Sequence, residues 1–175
     1  MPYSALQSIV GTTLCRLATE HEGWTFTERE DTLPESGKHV TSFHVVGTVG
    51  VFIDRLDADC EVVAYKGMRL PDIAIMLSAE VEGTFFPEMD HWMEEYSSAD
   101  PNIACWHHSK IGGKRVFCVN RRIQERGSSV DELLQSITAV LVDERKLIAQ
   151  LVYAQNHGGR MGLHPSIRKL FRHGR

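Results

Sequence analysis

The stretch "SSVDELLQSITAVLVDERKLIAQLVYAQ", residues 128–155, constrains the chain most, because no Gly or Pro interrupts it before Gly158. Ser129 stands where an N-cap belongs, and Glu132 three residues on completes a capping box. Val130, Leu133, Leu134, Ile137, Val140, Leu141, Leu147, Ile148, Leu151 and Val152 then recur at helical spacing. A helix of about 26 residues is roughly 39 Å long, more than a sheet of ordinary strands covers. Part of its stripe is therefore expected to seek a partner. Val140, Leu141, Leu147 and Ile148, with Trp92 and Trp106, are the candidate partner or dimer surface.

The remaining elements follow from periodicity. Leu6, Ile9, Val10, Leu14 and Leu17 predict an N-terminal helix ending near Gly23. "WTFTERE" alternates as a strand with one wet face. Val40 to Ile53 is rich in strand formers, with a bulge or turn expected at Gly47 and Gly50. "DRLDADC" reads as a polar turn before a strand in "EVVAYKGMRL". "DIAIMLSAEVEG" reads as a further strand buried on both faces, with a short helix as the alternative. "FPEMDHWMEEYSSADPN" predicts a middle helix with Pro87 in its first turn, a Met89, Trp92, Met93, Tyr96 stripe, and a stop at Asp100-Pro101.

At 175 residues with 42% hydrophobic content, the chain suits one α+β domain over residues 1–155. Four widely spaced cysteines without a CxxC pair suggest a reducing, cytoplasmic compartment, and no stretch reads as a leader or membrane span. The net charge of −4 is uneven. Residues 156–175 form a basic tail with Arg160, Arg168, Lys169, Arg172 and Arg175 and no acid, which leaves −9 on the first 155 residues. An acidic body argues against nucleic acid as the main partner, and the tail reads as a solvated, mobile terminus, with contact to an anionic partner or to the body itself as the less favoured alternative.

Residues 103–123, "IACWHHSKIGGKRVFCVNRRI", place two cysteines and two histidines around Gly112-Gly113. A two-residue turn between Ile111 and Lys114 predicts a hairpin with Cys105, His107, Cys118 and Asn120 on one face. Three potential ligands would then converge, but structural zinc asks for four, usually in closely spaced pairs. The sheet interior explains the thiols better, so no metal, cofactor or catalytic residue is assigned. "DRLDADCE" lacks the glycine and the bidentate glutamate of a calcium loop, and Glu88, Asp90, His91, Glu94 and Glu95 read as a wet helix face. GxGxxG, GxxxxGK[ST] and GxSxG motifs are absent.

The "LQSIVGTTLCRLA" helix, the "VFCVNRRI" strand and the "SSVDELLQSITAVLVDERKL" helix sit in an order close to α-β-β-β-α-β-β-α, with an extra strand over 73–82. Over residues 3–152 this resembles the type III secretion chaperone-like fold shared by small acidic secretion chaperones and the bacterial YbjN-type regulators. The resemblance implies a non-enzymatic, chaperone-like or regulatory homodimer that binds a segment of another protein. The rival expectation is a small-molecule-binding or enzymatic helix-grip domain. In it Trp24, Phe43, Phe52, Trp106 and Phe117 would line an apolar pocket, with His107 or His44 as its polar group.

Overall fold

The computed structural model describes residues 3–33, 36–51, 56–66, 72–83, 85–124 and 129–158, with side chains in the first helix from Gln7 onward. Along the chain run α1 (Tyr3–Glu20), β1 (Thr25–Thr32), β2 (His39–Gly50), β3 (Asp57–Tyr65) and β4 (Ile73–Val81). They are followed by α2 (Glu88–Ala99), β5 (Ile103–Ser109), β6 (Arg115–Ile123) and α3 (Val130–Asn156). The six strands form one antiparallel sheet in the order β1-β2-β3-β4-β6-β5. This is the expected α+β class, with a fourth strand before the middle helix. That helix carries the chain past one strand position, so β5 forms the edge and β6 returns between β5 and β4.

Strand alternation splits the sheet into two unlike faces. Cys60, Val62, Ile75, Leu77, Phe117 and Val119 are all at most 1% exposed on one face. The helices lie there: α1 on β1 and β2, α3 on β4 and β6, and α2 beside β5. β4 alternates fully buried with half-buried residues, so only its helix side is sealed, not both faces as its sequence suggests.

The long stripe of α3 is absorbed within the chain. Ser129 Oγ accepts the Glu132 N–H at 3.2 Å, as the capping pattern predicts, and the helix runs 27 residues. Leu141 is 5% exposed and Ile148 is fully buried, so both belong to the chain's own core and neither is free for a partner. The reason is lateral: α1 and α2 both pack against α3 and cover stripe that the sheet alone would leave bare. Arg16 on α1 pairs with Asp131, and Arg145 Nη2 donates to the Gly50 carbonyl at 2.8 Å, tying the helix to the end of β2.

β2 runs through Gly47 without the expected bulge, its pairing to β3 unbroken from Ser42 to Gly50. The glycine is needed for room. A Cβ at Gly47 would lie 2.3 Å from the Trp24 indole, which covers the strand, stacks on His21 and donates from Nε1 to the Thr48 carbonyl at 3.0 Å. β3 starts at Asp57, so Asp57 and Asp59 belong to a strand and not to the predicted turn; Asp54 lies outside the described residues. Phe52 and the tail from Gly159 onward also lie outside them. No described helix is long and apolar enough to cross a membrane.

Candidate functional site

The hairpin is one residue out of its expected register. Lys110 N–H donates to the Lys114 carbonyl at 2.8 Å, closing a three-residue loop of Ile111, Gly112 and Gly113. Both glycines take positive φ, 94° and 80°. Cys105 therefore opposes Val119, Trp106 opposes Cys118 and His107 opposes Phe117. A slip of one flips every side chain of a strand relative to its neighbour. This register keeps Ile103 and Cys105 beside Phe117 and Val119 under the helices. It also sends Cys118 to the other face, so the sheet separates Cys118 from Cys105 and His107 and the expected three-ligand face does not form.

The remaining pair is occupied by structural bonds. His107 Nε2 lies 2.8 Å from Asp90 Oδ1, Arg115 Nη1 donates to Nδ1 at 3.0 Å, and the ring stacks on Phe85. The Cys105 N–H donates to Ser97 Oγ at 2.9 Å. Burial pushes the Cys105 thiol up to about 11 and the Cys60 thiol up to about 12, which removes thiolate character from both.

The face opposite the helices carries its own polar assembly. His44, 7% exposed, is held between two acids from neighbouring strands. Its Nε2 lies 2.9 Å from Asp31 Oδ2 and its Nδ1 lies 3.0 Å from Glu61 Oε1. Ser42 Oγ sits 2.7 Å from Nε2 and donates to Asp31. That hydrogen bond, and then His44, hold the Asp31 carboxyl below its usual range. Serine, histidine and acid follow one another as in a hydrolytic triad, but Ser42 is fully buried and its proton is committed to Asp31. The assembly fastens β1, β2 and β3 together and offers no nucleophile to a substrate.

Around this assembly the open face is mixed and accessible. Val46 is 37% exposed and Trp106 38%, with Val63, Tyr65 and Met76 half-buried between them. Asp57, Asp59 and Glu61 follow one another on this face of β3, about 7 Å apart. Asp57 and Asp59 have no cation within ion-pair distance among the described residues.

Both sheet edges are guarded. β1, "TFTEREDT", carries Glu28, Arg29, Glu30 and Asp31 in succession, which discourages pairing with another strand. β5 carries no formal charge, but α2 packs along it and Ser97 takes its Cys105 N–H. Edge-to-edge addition is therefore obstructed at both ends, and the broad surface left is the open face.

The predicted surface residues separate accordingly. Trp106 lies on the open face. Trp92, Val140 and Leu147 are half-buried on the helix side, packed against the core, whereas the exposed Val142 projects from a different side of α3. The aromatics of the pocket reading do not meet: Phe43 and Phe117 are in the core, Trp24 covers Gly47, and Trp106 faces away from all three. His44 and His107 point to opposite faces.

One buried group was not foreseen. Glu144 in the middle of α3 is 1% exposed, and neither carboxyl oxygen has a hydrogen-bond partner among the described residues. Burial, opposed by Arg121 and reinforced by Asp143, pushes this carboxyl from 4.5 up to about 9. The signal was present, since Ile137, Leu141, Glu144 and Ile148 share one helix stripe. No family model matches the chain, and no curated protein and no solved structure matches it.

Proposed function

We propose that this protein is a non-enzymatic binding module, chaperone-like or regulatory, whose open sheet face holds an extended segment of a partner protein rich in basic and apolar residues. One observation carries the reading: all three helices cover the same face, while the other presents exposed Val46 and Trp106 and half-buried Met76, with the carboxylates of Asp57, Asp59 and Glu61 on the strand between Val46 and Met76. The apolar side chains supply area to bury, and the carboxylates, of which Asp57 and Asp59 have no cation within ion-pair distance among the described residues, select a cationic partner. The buried, committed hydroxyl of Ser42 and the raised thiols of Cys60 and Cys105 support a binding role over a covalent one. Assembly as a homodimer belongs to the same proposal, with Trp92, Val140 and Leu147 as the helix-side surface left for a second copy.

Peptide titration tests the binding half. The full chain carrying 13C-methyl methionine is titrated with two synthetic peptides of equal apolar content, one basic and one acidic. The basic peptide should shift Met76 and leave the helix-side Met89 and Met93 unmoved, and Asp59→Lys should weaken it about tenfold or more. Equal shifts from both peptides, or shifts confined to Met89 and Met93, would remove this reading. Sedimentation equilibrium of the same sample tests the homodimer, and a monomer at all concentrations would remove that half alone.

A further inference from the structure

The open face ends at a rim where the described chain also ends. Val152 and Asn156, near the end of α3, line a groove of about 450 Å³ with Leu56, Glu80, Val81 and Lys114. Glu80 and Lys114 have the parity of the open face, whereas Val152 packs in the core, so this groove lies where the two faces meet. Asp57 stands at the same rim, because Asp59 opposite Ser78 places it level with Glu80. From there Asp57, Asp59 and Glu61 lead inward over about 13 Å of β3 and end beside Val46 and Met76.

The chain beyond Gly158 is chemically matched to that path. Residues 159–175, "GRMGLHPSIRKLFRHGR", contain five basic and no acidic residues, with Ile167, Leu170 and Phe171 interleaved. Seventeen residues reach up to about 56 Å when extended, against about 24 Å across six strands. Tethering makes the local concentration of such a segment millimolar, so even weak pairing would be populated.

We propose that the basic C-terminal segment, residues 159–175, docks on the acidic open face of its own chain, along Asp57, Asp59 and Glu61, and competes there with the partner. This rests on reading the open face as the binding surface. Arg168, Lys169 and Arg172 meet the carboxylate series, and Leu170 and Phe171 lie toward Val46 and Met76. A partner must then displace the segment, which sets a threshold for binding.

The test uses the full chain with 13C-methyl methionine and a soluble gadolinium chelate, comparing it with the full-length variant R168E/K169E/R172E. The relaxation enhancement of Met76 should at least double in the variant. Raising NaCl from 50 to 500 mM should bring the parent to the same value, while Met89 and Met93 stay unchanged in both. Equal enhancement of Met76 in parent and variant overturns the docking. A difference that vanishes on tenfold dilution assigns the segment to a second copy and overturns docking within one chain. A synthetic peptide of residues 157–175 is then added to the variant. If Met76 was equally accessible in both chains yet the peptide protects it, the tail proposal fails and the open face stands; if the peptide does nothing, the open-face reading fails with it.

Discussion

The two faces of the sheet are built from the same six strands yet answer different demands. On the helix side Leu77, Ile75, Phe117 and Val119 are fully buried, and the carboxyl group driven deep among them, that of Glu144, has no partner for its oxygens among the described residues. On the open side a histidine and two acids form a connected network, and Val46 and Trp106 remain accessible. Substitutions on the first face should therefore read out as stability, and those at the exposed positions of the second, Val46 and Trp106, as recognition.

The sharpest break in that comparison is Ile148→Glu. A charge placed at a fully buried position should abolish folding, seen as loss of the cooperative thermal transition. Were Ile148 instead a dimer contact, the variant would stay folded and sediment as a monomer.

Glu144 gives the next largest effect, set by pH. Its carboxyl is raised in the folded chain from 4.5 to about 9, so the contribution of the bound proton is fully present below pH 4.5 and is lost as pH rises toward 9. Stability should decline across that window by up to about 1.4 kcal/mol per pH unit, near 3 kcal/mol by pH 7. Urea unfolding at pH 5, 7 and 8.5 checks this. Glu144→Gln should flatten the slope, and an unchanged slope in the variant would show that the group is not desolvated.

Gly47→Ala should cost about 1–3 kcal/mol, because the new methyl meets the Trp24 ring at 2.3 Å in the folded chain. The measurable signs are a lowered melting temperature and a shifted Trp24 resonance. Trp106→Ser, on the open side, should change stability by less than about 1 kcal/mol while weakening a basic peptide about tenfold. A large stability loss there would mean that the open face is a second core surface and would erase the contrast.

What the sequence disclosed follows the range of the interactions involved. α3, its Ser129 cap and the Met89/Met93 stripe of α2 are local patterns, and each stands where periodicity places it. The Gly112-Gly113 turn was legible as a turn, but its register was not, because Phe117 and Val119 choose their face by packing under α3. Asp57 and Asp59 read as a turn because their charge was weighed above the period of two that they keep with Ala58 and Cys60. The His44 assembly had no local signature at all: Asp31, Ser42 and Glu61 meet only once three strands are paired. Leu141 and Ile148, sought as partner surface on α3, fell into the core, since nothing local says that α1 and α2 will cover that helix.

The central claim is that recognition belongs to the open face, and a matched pair of exposed valines tests it most directly. A photoreactive phenylalanine analogue is placed at Val46, 37% exposed on the open side, or at Val142, 43% exposed on the helix side, in the full-length chain. Irradiated with the basic peptide at equal occupancy, the Val46 position should yield the covalent adduct and Val142 little or none. Adducts of equal yield at both positions, or at Val142 alone, would contradict the account.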